Sequence, residues 1–365
     1  MKIAILGTRG IPNNYGGFEQ CAEFLSVGLA QRGHEVTVYS PHFHTYKETK
    51  FKNVTIIKKR SPENIFGVSA ANFIYDYLCF KDAVKKDFDI ILQLGLITSA
   101  LSLILCRHKG KIVVTNIDGL EWKRKKWSKF IQILTKQLEK FGISYSDYLI
   151  ADNQGIQQYL KQQYSRESQF IAYGAQEMNP PNKKILAGYA ITSKSYLLSI
   201  ARLEPENNLE TLFDAYLESN LKYPYYIVGK HTTSYGDYLK DKYRSSNIIF
   251  LGAIYDKNHL DNLRYYSTIY LHGHSVGGTN PSLLEAMAAK CLIVAHKNSF
   301  NISVLEKNAF YFKNKMELAS LLRSDLLSKK ENFSENNLTK VKIQYDWNKI
   351  VDDYESYFFN ISSKL

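Results

Sequence analysis

The residues best suited to bind an anion in this sequence lie between positions 270 and 288. An apolar run ends at His272, a glycine-rich polar loop follows, and Asn280-Pro281 has the residue types preferred at a helix N-cap and first helical position. Free amide groups at such a helix N-terminus can hold a phosphate, and Glu285, about one turn further on, is placed to hydrogen-bond a ribose. His272 taken alone is typical of a core histidine. The candidate ligand-binding residues of this segment are His274, Gly278, Thr279, Asn280, Ser282 and Glu285.

A second candidate anion site follows the first apolar run, where Gly16-Gly17 precedes a helical pattern. Adjacent glycines let the backbone approach a ligand closely, and the helix start offers its amides to an anion. The spacing is not G-x-G-x-x-G, which counts against a dinucleotide-dependent dehydrogenase. A plain tight turn is the competing interpretation of Gly-Gly alone. The polar residues of the loop favour ligand binding, and the candidate contacts are Arg9, Asn14 and Tyr15.

Two cations follow apolar runs in the second half of the chain. Arg202 comes directly after one predicted strand and Lys230 after another. The planar guanidinium of an arginine suits a diphosphate, and a lysine can serve as a point charge beside it. Either residue could instead be an ordinary surface charge, but the position at a strand end favours a binding role, more for Arg202 than for Lys230.

Carboxylates also follow predicted strands in the first half of the chain. Asp118 lies at the end of a strongly apolar strand, where it could accept a proton from a hydroxyl group or position that group. Helix capping is an equally good interpretation of Asp118. Asp152, after the next strand, is a weaker candidate for the same site, and Glu121 and Trp122 lie beside Asp118 in the sequence.

A basic segment with interleaved aromatic residues runs from Lys123 to Lys140. The whole chain carries a formal charge of +12, and residues 1–180 contribute +8 of it (24 Lys and Arg minus 16 Asp and Glu). This combination predicts a peripheral membrane contact or a pyrophosphate-linked lipid as acceptor. A solvated helix face is the competing interpretation. Nucleic acid is not expected, since no zinc spacing, aromatic RNA-binding signature or helix-turn-helix pattern accompanies the charge.

Short apolar runs alternate with helical periods along the chain, which predicts two doubly wound α/β domains in succession. We place the first domain at residues 1–176 and the second at 177–340. Residues 177–188 are rich in proline and asparagine and predict a linker. Residues 341–365 contain an amphipathic helix, Val341–Asn360, expected to pack back on the first domain. In such sheets ligands bind outside the carboxyl ends of the strands, so the two domains are expected to face each other across a cleft that holds the active site.

The composition favours a cytoplasmic protein, with possible attachment to the inner face of the plasma membrane. The four cysteines form no C-x-x-C pair, the first residues lead straight into a strand, and no run of 18 apolar residues occurs. Asp87-Phe88-Asp89 matches a metal-binding Asp-x-Asp pattern, but it precedes its strand and should lie at the wrong end of the sheet. We therefore expect neither a metal nor a cofactor.

The motifs together resemble those of the retaining GT-B glycosyltransferases, the large family that includes sucrose and glycogen synthases. Within it, the sequence is similar to the rhamnosyltransferase subgroup that builds bacterial capsule, O-antigen and cell-wall polysaccharides. The resemblance covers nearly the whole chain. It is carried by GTRGIPNNYGGFE at 7–19, RGHEVTVYS at 32–40, NIDGLEWKRKKW at 116–127, ARLEPENN at 201–208 and HGHSVGGTNPSLLEAM at 272–287.

The resemblance implies a nucleotide-sugar donor in the second domain and an acceptor in the first, with retention at the anomeric carbon. The broad family has a glutamate that contacts the donor sugar where this chain has Gly277. It has a lysine that grips the diphosphate where this chain has Asn207, whereas Arg202 matches the family arginine. The rhamnosyltransferase subgroup carries the Gly-Gly-Thr-Asn-Pro-Ser-Leu-Leu-Glu form, which implies dTDP-rhamnose as the donor.

The expected reaction is attack of an acceptor hydroxyl on the donor sugar, with Asp118 and Arg202 as catalytic residues. Arg202, Lys230 and the helix starts at Gly16-Gly17 and Asn280 would stabilise the departing diphosphate without a metal. The acceptor is expected to be a saccharide carried on a polyprenyl pyrophosphate. Three alternatives remain open: a transferase that uses a UDP-hexose, a GT-B-fold sugar epimerase, and a non-catalytic partner of another transferase.

Overall fold

The computed structural model describes residues 1–14, 16–106, 110–230 and 232–364. Contacts within the chain divide it into two compact units. Unit 1 comprises Met1–Trp122, Trp127–Tyr173 and Trp347–Leu365, and unit 2 comprises Lys123–Lys126 and Gly174–Asp346. The observed division thus lies between residues 173 and 174, where the sequence analysis placed it between 176 and 177.

The strands are short, and those inside the sheets, such as β1, β5, β6 and β12, are buried on both faces as parallel sheets covered by helices require. In chain order they are β1 (Lys2–Leu6), β2 (Glu35–Pro41), β3 (Lys50–Phe51), β4 (Val54–Lys59), β5 (Ile90–Leu94), β6 (Ile112–Ile117), β7 (Tyr148–Ala151), β8 (Gln169–Phe170), β9 (Leu197–Ile200), β10 (Tyr225–Val228), β11 (Ile248–Gly252), β12 (Ile269–His272), β13 (Ile293–His296) and β14 (Phe310–Phe312).

Helices connect the strands in both units. In chain order they are α1 (Gly17–Gln31), α2 (Glu63–Ala83), α3 (Ala100–Leu105), α4 (Lys129–Tyr145), α5 (Gln154–Tyr164), α6 (Leu209–Ser219), α7 (Ser234–Lys242), α8 (Lys257–Tyr265), α9 (Pro281–Ala288), α10 (Ser299–Leu305), α11 (Lys315–Arg323), α12 (Lys330–Gln344) and α13 (Trp347–Ser362). Short 3₁₀ helices occupy Glu121–Lys123, Lys183–Tyr189, Pro205–Asn207 and Leu327–Lys329. The predicted linker at 177–188 therefore contains a helical turn.

Unit 1 holds an eight-stranded sheet of order β3-β4-β2-β1-β5-β6-β7-β8. Its strand pairs are parallel except for β3 and β4, which form an antiparallel hairpin. The two hairpin residues, Lys52 and Asn53, both have positive φ, as a tight two-residue turn requires. The sequence analysis did not predict β3, because two residues are too few for a periodic pattern.

Unit 2 holds a six-stranded parallel sheet of order β11-β10-β9-β12-β13-β14. Relabelled within the unit, this is the 3-2-1-4-5-6 order of doubly wound nucleotide-binding sheets. Strand order reverses between β9 and β12 in unit 2, and between β1 and β5 in unit 1. Ligands of such sheets bind at the carboxyl ends of the strands beside the reversal point.

The prediction of one helix at Val341–Asn360 is wrong. Residues 330–362 form two helices, α12 and α13, that are separated at Tyr345-Asp346. The break occurs because the Tyr345 carbonyl accepts a hydrogen bond of 2.7 Å from the Ala175 amide, next to a parallel bridge between Ala175 and Asp346. After the break, α13 packs against α1 within unit 1.

Two predictions from the sequence concern the cysteines and membrane-spanning helices, and the described residues bear on both. The cysteines Cys21, Cys79, Cys106 and Cys291 are buried and unpaired, as their apolar surroundings predicted. None of the helices built from the described residues combines the length and apolar character needed to cross a bilayer.

Candidate active site

The loops after β9 and β12 pack closely against each other at the reversal point of the unit 2 sheet. A Cβ atom at Gly273 would lie 2.2 Å from the Asn207 carbonyl oxygen, so this approach requires glycine. The Asn208 side-chain amide donates to the Gly273 carbonyl at 2.8 Å, and the Ser275 hydroxyl donates to the Glu206 carbonyl at 2.7 Å. The structure therefore brings the predicted Arg202 and His274 segments together.

Arg202 and Lys230 occupy equivalent positions on neighbouring strands. Ile200, the last residue of β9, pairs with Val228, the last residue of β10. Arg202 lies two residues after Ile200, and Lys230 lies two residues after Val228. Both side chains are exposed. The Asn207 side chain holds the Arg202 carbonyl at 2.6 Å. Two cations at one sheet edge form the charge pattern that a diphosphate needs.

The two histidines of the β12 loop stack on each other, with ring centroids 4.4 Å apart and planes 17° apart. Among the described residues, neither ring nitrogen of His272 has a hydrogen-bond partner, and Nδ1 of His274 has none. Burial, reinforced by the positive charges of Arg202 and Arg124, lowers the pKa of His274 to about 3. Burial likewise lowers the pKa of His272 well below its usual value. Both imidazoles are therefore neutral near pH 7.

Helix α9 begins as the sequence analysis predicted, with Asn280 as N-cap and Pro281 in the first turn. The Asn280 side chain accepts hydrogen bonds from the amides of Ser282 (2.9 Å) and Leu283 (3.3 Å). Thr279 is buried, and Gly278 is partly exposed. At Gly277, where φ is +137°, an added Cβ would meet no atom of the described residues within 4 Å, so none of their side chains fills this part of the loop.

Glu285 and Ser282 share a buried cation that the sequence analysis missed. Arg264, only 1 % exposed, donates to Glu285 Oε2 at 2.6 Å and to the Ser282 hydroxyl at 3.0 Å. The Ser282 hydroxyl also lies 2.9 Å from the Tyr270 hydroxyl, within the interior of unit 2. Arg264 thus fixes the orientation of the carboxylate predicted to contact a ribose. No motif marks an arginine inside helix α8, so the sequence offered no signal for this role.

Part of the basic segment belongs to unit 2. Arg124 lies 3.2 Å from Glu206 Oε1, and Lys126 lies 3.2 Å from Glu204 Oε1. Burial tends to raise the pKa of Glu204, but the charges of Arg202 and Lys126 outweigh it, and the pKa lies below its usual value. These ion pairs hold residues 123–126 against the loop that carries Arg202, a role that the sequence analysis did not assign to them.

In unit 1, the loop between β1 and α1 is held in place by Glu19. This buried carboxylate accepts hydrogen bonds from the Arg9 amide at 2.8 Å and from the Thr8 hydroxyl at 3.4 Å. Gly16 is the N-cap of α1, which begins at Gly17. Because glycine has no side chain, no side-chain cap bonds the first amides of this helix. The predicted anion site thus begins a helix of 15 residues.

The surroundings of the three ligand contacts predicted in this loop, Arg9, Asn14 and Tyr15, differ from one residue to the next. Arg9 is half-buried and forms an ion pair of 2.8 Å with Glu63. Asn14 is exposed and donates to the Thr45 hydroxyl at 3.1 Å. Tyr15 lies outside the described residues.

Asp118 and Asp152 follow the adjacent strands β6 and β7, as predicted. Both carboxylates help to raise the pKa of Cys21 and of Tyr173, although burial is the larger cause, so the four groups lie near one another. Asp152 is completely buried and has no surface to offer a ligand, whereas Asp118 is partly exposed. Asp118 is therefore the better placed of the two for chemistry.

Glu121 and Trp122 each contact another side chain of unit 1. The Trp127 indole donates to Glu121 Oε1 at 3.0 Å. The Lys136 ammonium lies 4.4 Å from the centroid of the Trp122 ring and also faces the rings of Tyr159 and Tyr164. These contacts link the Asp118 segment to helix α4.

Comparison with known proteins identifies the enzyme class of this chain. Residues 1–176 match the model "Domain of unknown function (DUF1972)", and residues 183–339 match "Glycosyl transferases group 1". An uncharacterized glycosyltransferase of Methanocaldococcus jannaschii is 23 % identical over 98 % of both chains. The protein is a glycosyltransferase. The matched range includes the loop of Arg202 and the whole of helix α9.

Solved structures confirm the predicted two-domain α/β fold of the glycosyltransferase. The sucrose-phosphate synthase of Thermosynechococcus elongatus superposes with a TM-score of 0.83 at 16 % identity, covering 100 % of both chains. The Anabaena protein HepE, solved in complex with UDP-glucose, gives a TM-score of 0.75 at 16 % identity over 100 % of this chain and 99 % of that one. With a transferase established, the alternatives of a sugar epimerase and of a non-catalytic partner are set aside.

Proposed function

We propose that this glycosyltransferase transfers L-rhamnose from dTDP-rhamnose to a saccharide acceptor during the synthesis of a bacterial capsule or cell-wall polysaccharide. The observation that carries the donor assignment is the pair of departures at Gly277 and Asn207. No side chain fills the space at Gly277, and Asn207 is turned inward to the Arg202 carbonyl. A 6-deoxyhexose such as rhamnose has one hydroxyl group fewer than the parent hexose, so it needs fewer polar partners in its site.

The proposed chemistry depends on the stabilisation of the leaving diphosphate. Arg202 and Lys230 supply positive charge, and the N-termini of α9 and α1 add the positive ends of their helix dipoles. At Gly16-Gly17 the first amides of α1 also have no side-chain cap, whereas the Asn280 side chain already accepts from the first amides of α9. Asp118 assists the attacking hydroxyl as a general base or by positioning it. The anomeric configuration of the sugar is retained, by a displacement in which nucleophile and leaving group share one face of the ring.

We expect the reaction to need neither a metal nor another cofactor, since the cations and helix starts perform the electrostatic role. Within the described residues, no group of three or more His, Cys, Asp or Glu side chains is arranged to hold a metal. Asp87 and Asp89 both bind Lys2, at the amino end of β1 and away from the carboxyl edge of the sheet. Metal independence remains a prediction for the donor assay below.

The acceptor proposed here is a saccharide on a polyprenyl pyrophosphate, which requires the enzyme to work at the inner face of the plasma membrane. Helix α4 supports this proposal. The helix packs against α3 and buries one side, which includes Leu138, whereas the other side exposes large apolar groups. We define the α4 apolar face as the exposed residues Phe130, Ile133, Leu134, Phe141 and Tyr145.

Lysines flank the α4 apolar face. Lys129, just before Phe130, and Lys140, just before Phe141, are both exposed. Exposed apolar groups that can enter a lipid surface, combined with lysines that attract anionic headgroups, are typical of helices that lie in the membrane interface. The competing interpretation from the sequence, a solvated helix face with an apolar side in the core, accounts for the buried side of α4 and leaves its exposed apolar groups without a role.

The donor assignment is tested by thermal unfolding with a panel of nucleotide sugars and no added metal. We expect dTDP-rhamnose to raise the melting temperature more than UDP-glucose, UDP-GlcNAc, UDP-galactose or GDP-mannose, because a ligand that binds the folded state stabilises it. R202A is expected to lower the affinity for the donor at least tenfold. K222A removes an exposed cation from unit 2 and is expected to leave that affinity unchanged.

A UDP-hexose is the second candidate donor, favoured by the similarity to HepE in its complex with UDP-glucose. Preferential stabilisation by a UDP sugar would overturn the rhamnose assignment and keep the transferase. Transfer that stops when a chelator is added would overturn the prediction of metal independence. NMR of the product measures the anomeric configuration and so tests retention.

A further inference from the structure

Residues 123–126 belong to unit 2 and lie along the carboxyl edge of its sheet. Arg124 Nη1 lies 3.2 Å from Glu206 Oε1, in the loop after β9. Lys125 lies near the end of β13, where its charge adds to the larger effect of burial in lowering the pKa of His296. The segment therefore meets strand ends on both sides of the reversal point between β9 and β12, where sheets of this type bind their ligands.

Arg124 lies near Arg202 at this edge. Both arginines act on the buried His274 imidazole, where their positive charges add to the larger effect of burial in lowering the pKa. Both also act on Glu204, whose Oε2 lies 3.7 Å from Arg124 Nη1. Burial raises the pKa of Glu204, and the charge of Arg202 is the largest of the effects that lower it. Arg124 thus shares its surroundings with the cation proposed to bind the diphosphate.

Residues 123–126 reverse the formal charge of the loop after β9. The side chains of Arg202, Glu204 and Glu206 carry one positive and two negative charges, a sum of −1. A site of that sign would repel a diphosphate. The ion pairs add the positive charges of Arg124 and Lys126, which brings the sum to +1. The loop therefore attracts an anion only with these two cations in place.

Glu206 holds Arg124 in its position. The carboxylate is 1 % exposed, and its Oε2 has no hydrogen-bond partner in the part of the chain that the structure describes. Removing the cation from a buried carboxylate is costly, because the charge is then left without compensation. Glu206 cannot easily move away, since its backbone carbonyl accepts a hydrogen bond of 2.7 Å from the Ser275 hydroxyl. Arg124 and Glu206 are therefore bound to each other at a fixed place.

We propose that Arg124 is a positioning residue for the donor diphosphate, which neutralises Glu206 and Glu204 so that the Arg202 guanidinium stays available to the diphosphate. Lys126 supports it by binding Glu204. The inference rests on the proposed placement of the diphosphate at Arg202, and it assigns to the basic segment an electrostatic role in donor binding. Arg124 acts through the two carboxylates and not by chemistry at the sugar.

The inference is tested by isothermal titration calorimetry on the full chain with dTDP and UDP, which share the diphosphate and differ in the base. We expect R124M to weaken the binding of both by about tenfold, because the formal charge of the site falls from +1 to zero. R124M/E206Q returns the sum to +1 and is expected to restore the affinity. R244A removes an arginine of unit 2 that lies 2.5 Å from Asp241, and it serves as the matched control with unchanged affinity.

E206Q alone distinguishes an electrostatic role from a structural one. It raises the charge sum to +2, so we expect it to bind both diphosphates more tightly than the wild type. If the ion pair only supported the fold, E206Q would weaken binding. Weaker binding by E206Q, or a loss in R124M that E206Q does not restore, would overturn the inference.

R202A is titrated in parallel, so that failure of the inference can be told apart from failure of the proposed diphosphate site. Weakened binding in R202A with unchanged binding in R124M would overturn the role of Arg124 and keep the site. Unchanged binding in R202A, or no binding of either diphosphate to the wild type, would overturn the site and the inference together. Thermal unfolding of each variant without ligand confirms that the titrated protein is folded.

Discussion

His272 and His274 are neutral in the folded protein because burial opposes their protonation. In the unfolded chain a histidine has a pKa near 6.5. At a pH between the folded and unfolded pKa values, the unfolded state binds more protons, so stability rises with pH in that window and falls on acidification. The loss begins below about pH 6.5, and His272, which is 1 % exposed, is the clearer case.

We predict that H272Q reduces the acid sensitivity of folding. Between pH 7.5 and 5.5, His272 alone should cost the wild type on the order of 1 kcal/mol of unfolding free energy, and the variant should lose that part of the dependence. Urea unfolding of unit 2 at the two pH values measures the difference. H42Q, which removes an exposed imidazole, is the control. Equal pH dependence in wild type and H272Q would show that His272 does not titrate on unfolding.

Residues in motifs could be predicted from the sequence, and residues without motifs could not. Asn280 and Pro281 were found because helix starts have strong residue preferences. Arg264 lies inside a helix, where a charged residue in the sequence gives no indication of burial. Its role depends on which loops and strands surround it, and only tertiary contacts determine that.

At the scale of elements, the contact between α1 and α13 is the clearest source of stability that joins distant parts of the chain. The rings of Phe24 and Trp347 stack with centroids 4.7 Å apart and planes 9° apart. Gly28 brings α1 close to α13, since a Cβ there would lie 2.7 Å from Val351. Arg32 adds ion pairs of 2.6 Å with Asp352 and 3.0 Å with Glu355.

We predict that W347A destabilises unit 1 by about 3–5 kcal/mol, the usual cost of truncating a large buried aromatic ring. W347F should cost far less, because it keeps a stacked ring and removes an indole N–H that has no partner among the described residues. Hydrogen–deuterium exchange of the α1 amides measures the effect, with faster exchange expected in W347A. Equal exchange in the two variants would mean that the ring stack does not stabilise α1.

Most strands and the two-domain α/β fold could be predicted because their buried apolar runs are regular and repeat along the chain. The break between α12 and α13 could not be predicted in this way. The segment around Tyr345-Asp346 continues a helical pattern, and it is interrupted where it bonds Ala175, about 170 residues earlier. The periodicity of a local sequence window does not indicate a bonding partner so far away in the chain.

At the scale of the whole molecule, the net charge of +12 and the α4 apolar face predict attachment to anionic membranes. We expect the wild type to sediment with phosphatidylglycerol vesicles and much less with phosphatidylcholine vesicles. Binding should weaken at about 1 M salt, where the Debye length falls to about 3 Å. The triple variant F130S/I133S/F141S should lose at least tenfold in affinity, because it removes the groups that enter the lipid.

The matched control for vesicle binding is I343S on α12, which replaces a similarly exposed apolar residue in unit 2. It should bind vesicles as the wild type does. Equal binding of the triple variant and the wild type would show that another surface contacts the membrane. Equal loss in I343S would show that the effect is one of general surface hydrophobicity.

Because α13 belongs to unit 1 but comes after unit 2 in the chain, the ribosome synthesises unit 1 in two separate parts. Residues 1–173 emerge first but lack the helix that covers α1, and Gly174–Asp346 must be synthesised before Trp347 appears. At about 5–20 residues per second, this leaves a delay of roughly 9–35 s. During that interval Phe24 and its neighbours on α1 are not covered by α13. We expect this apolar face of α1 to bind a chaperone during translation.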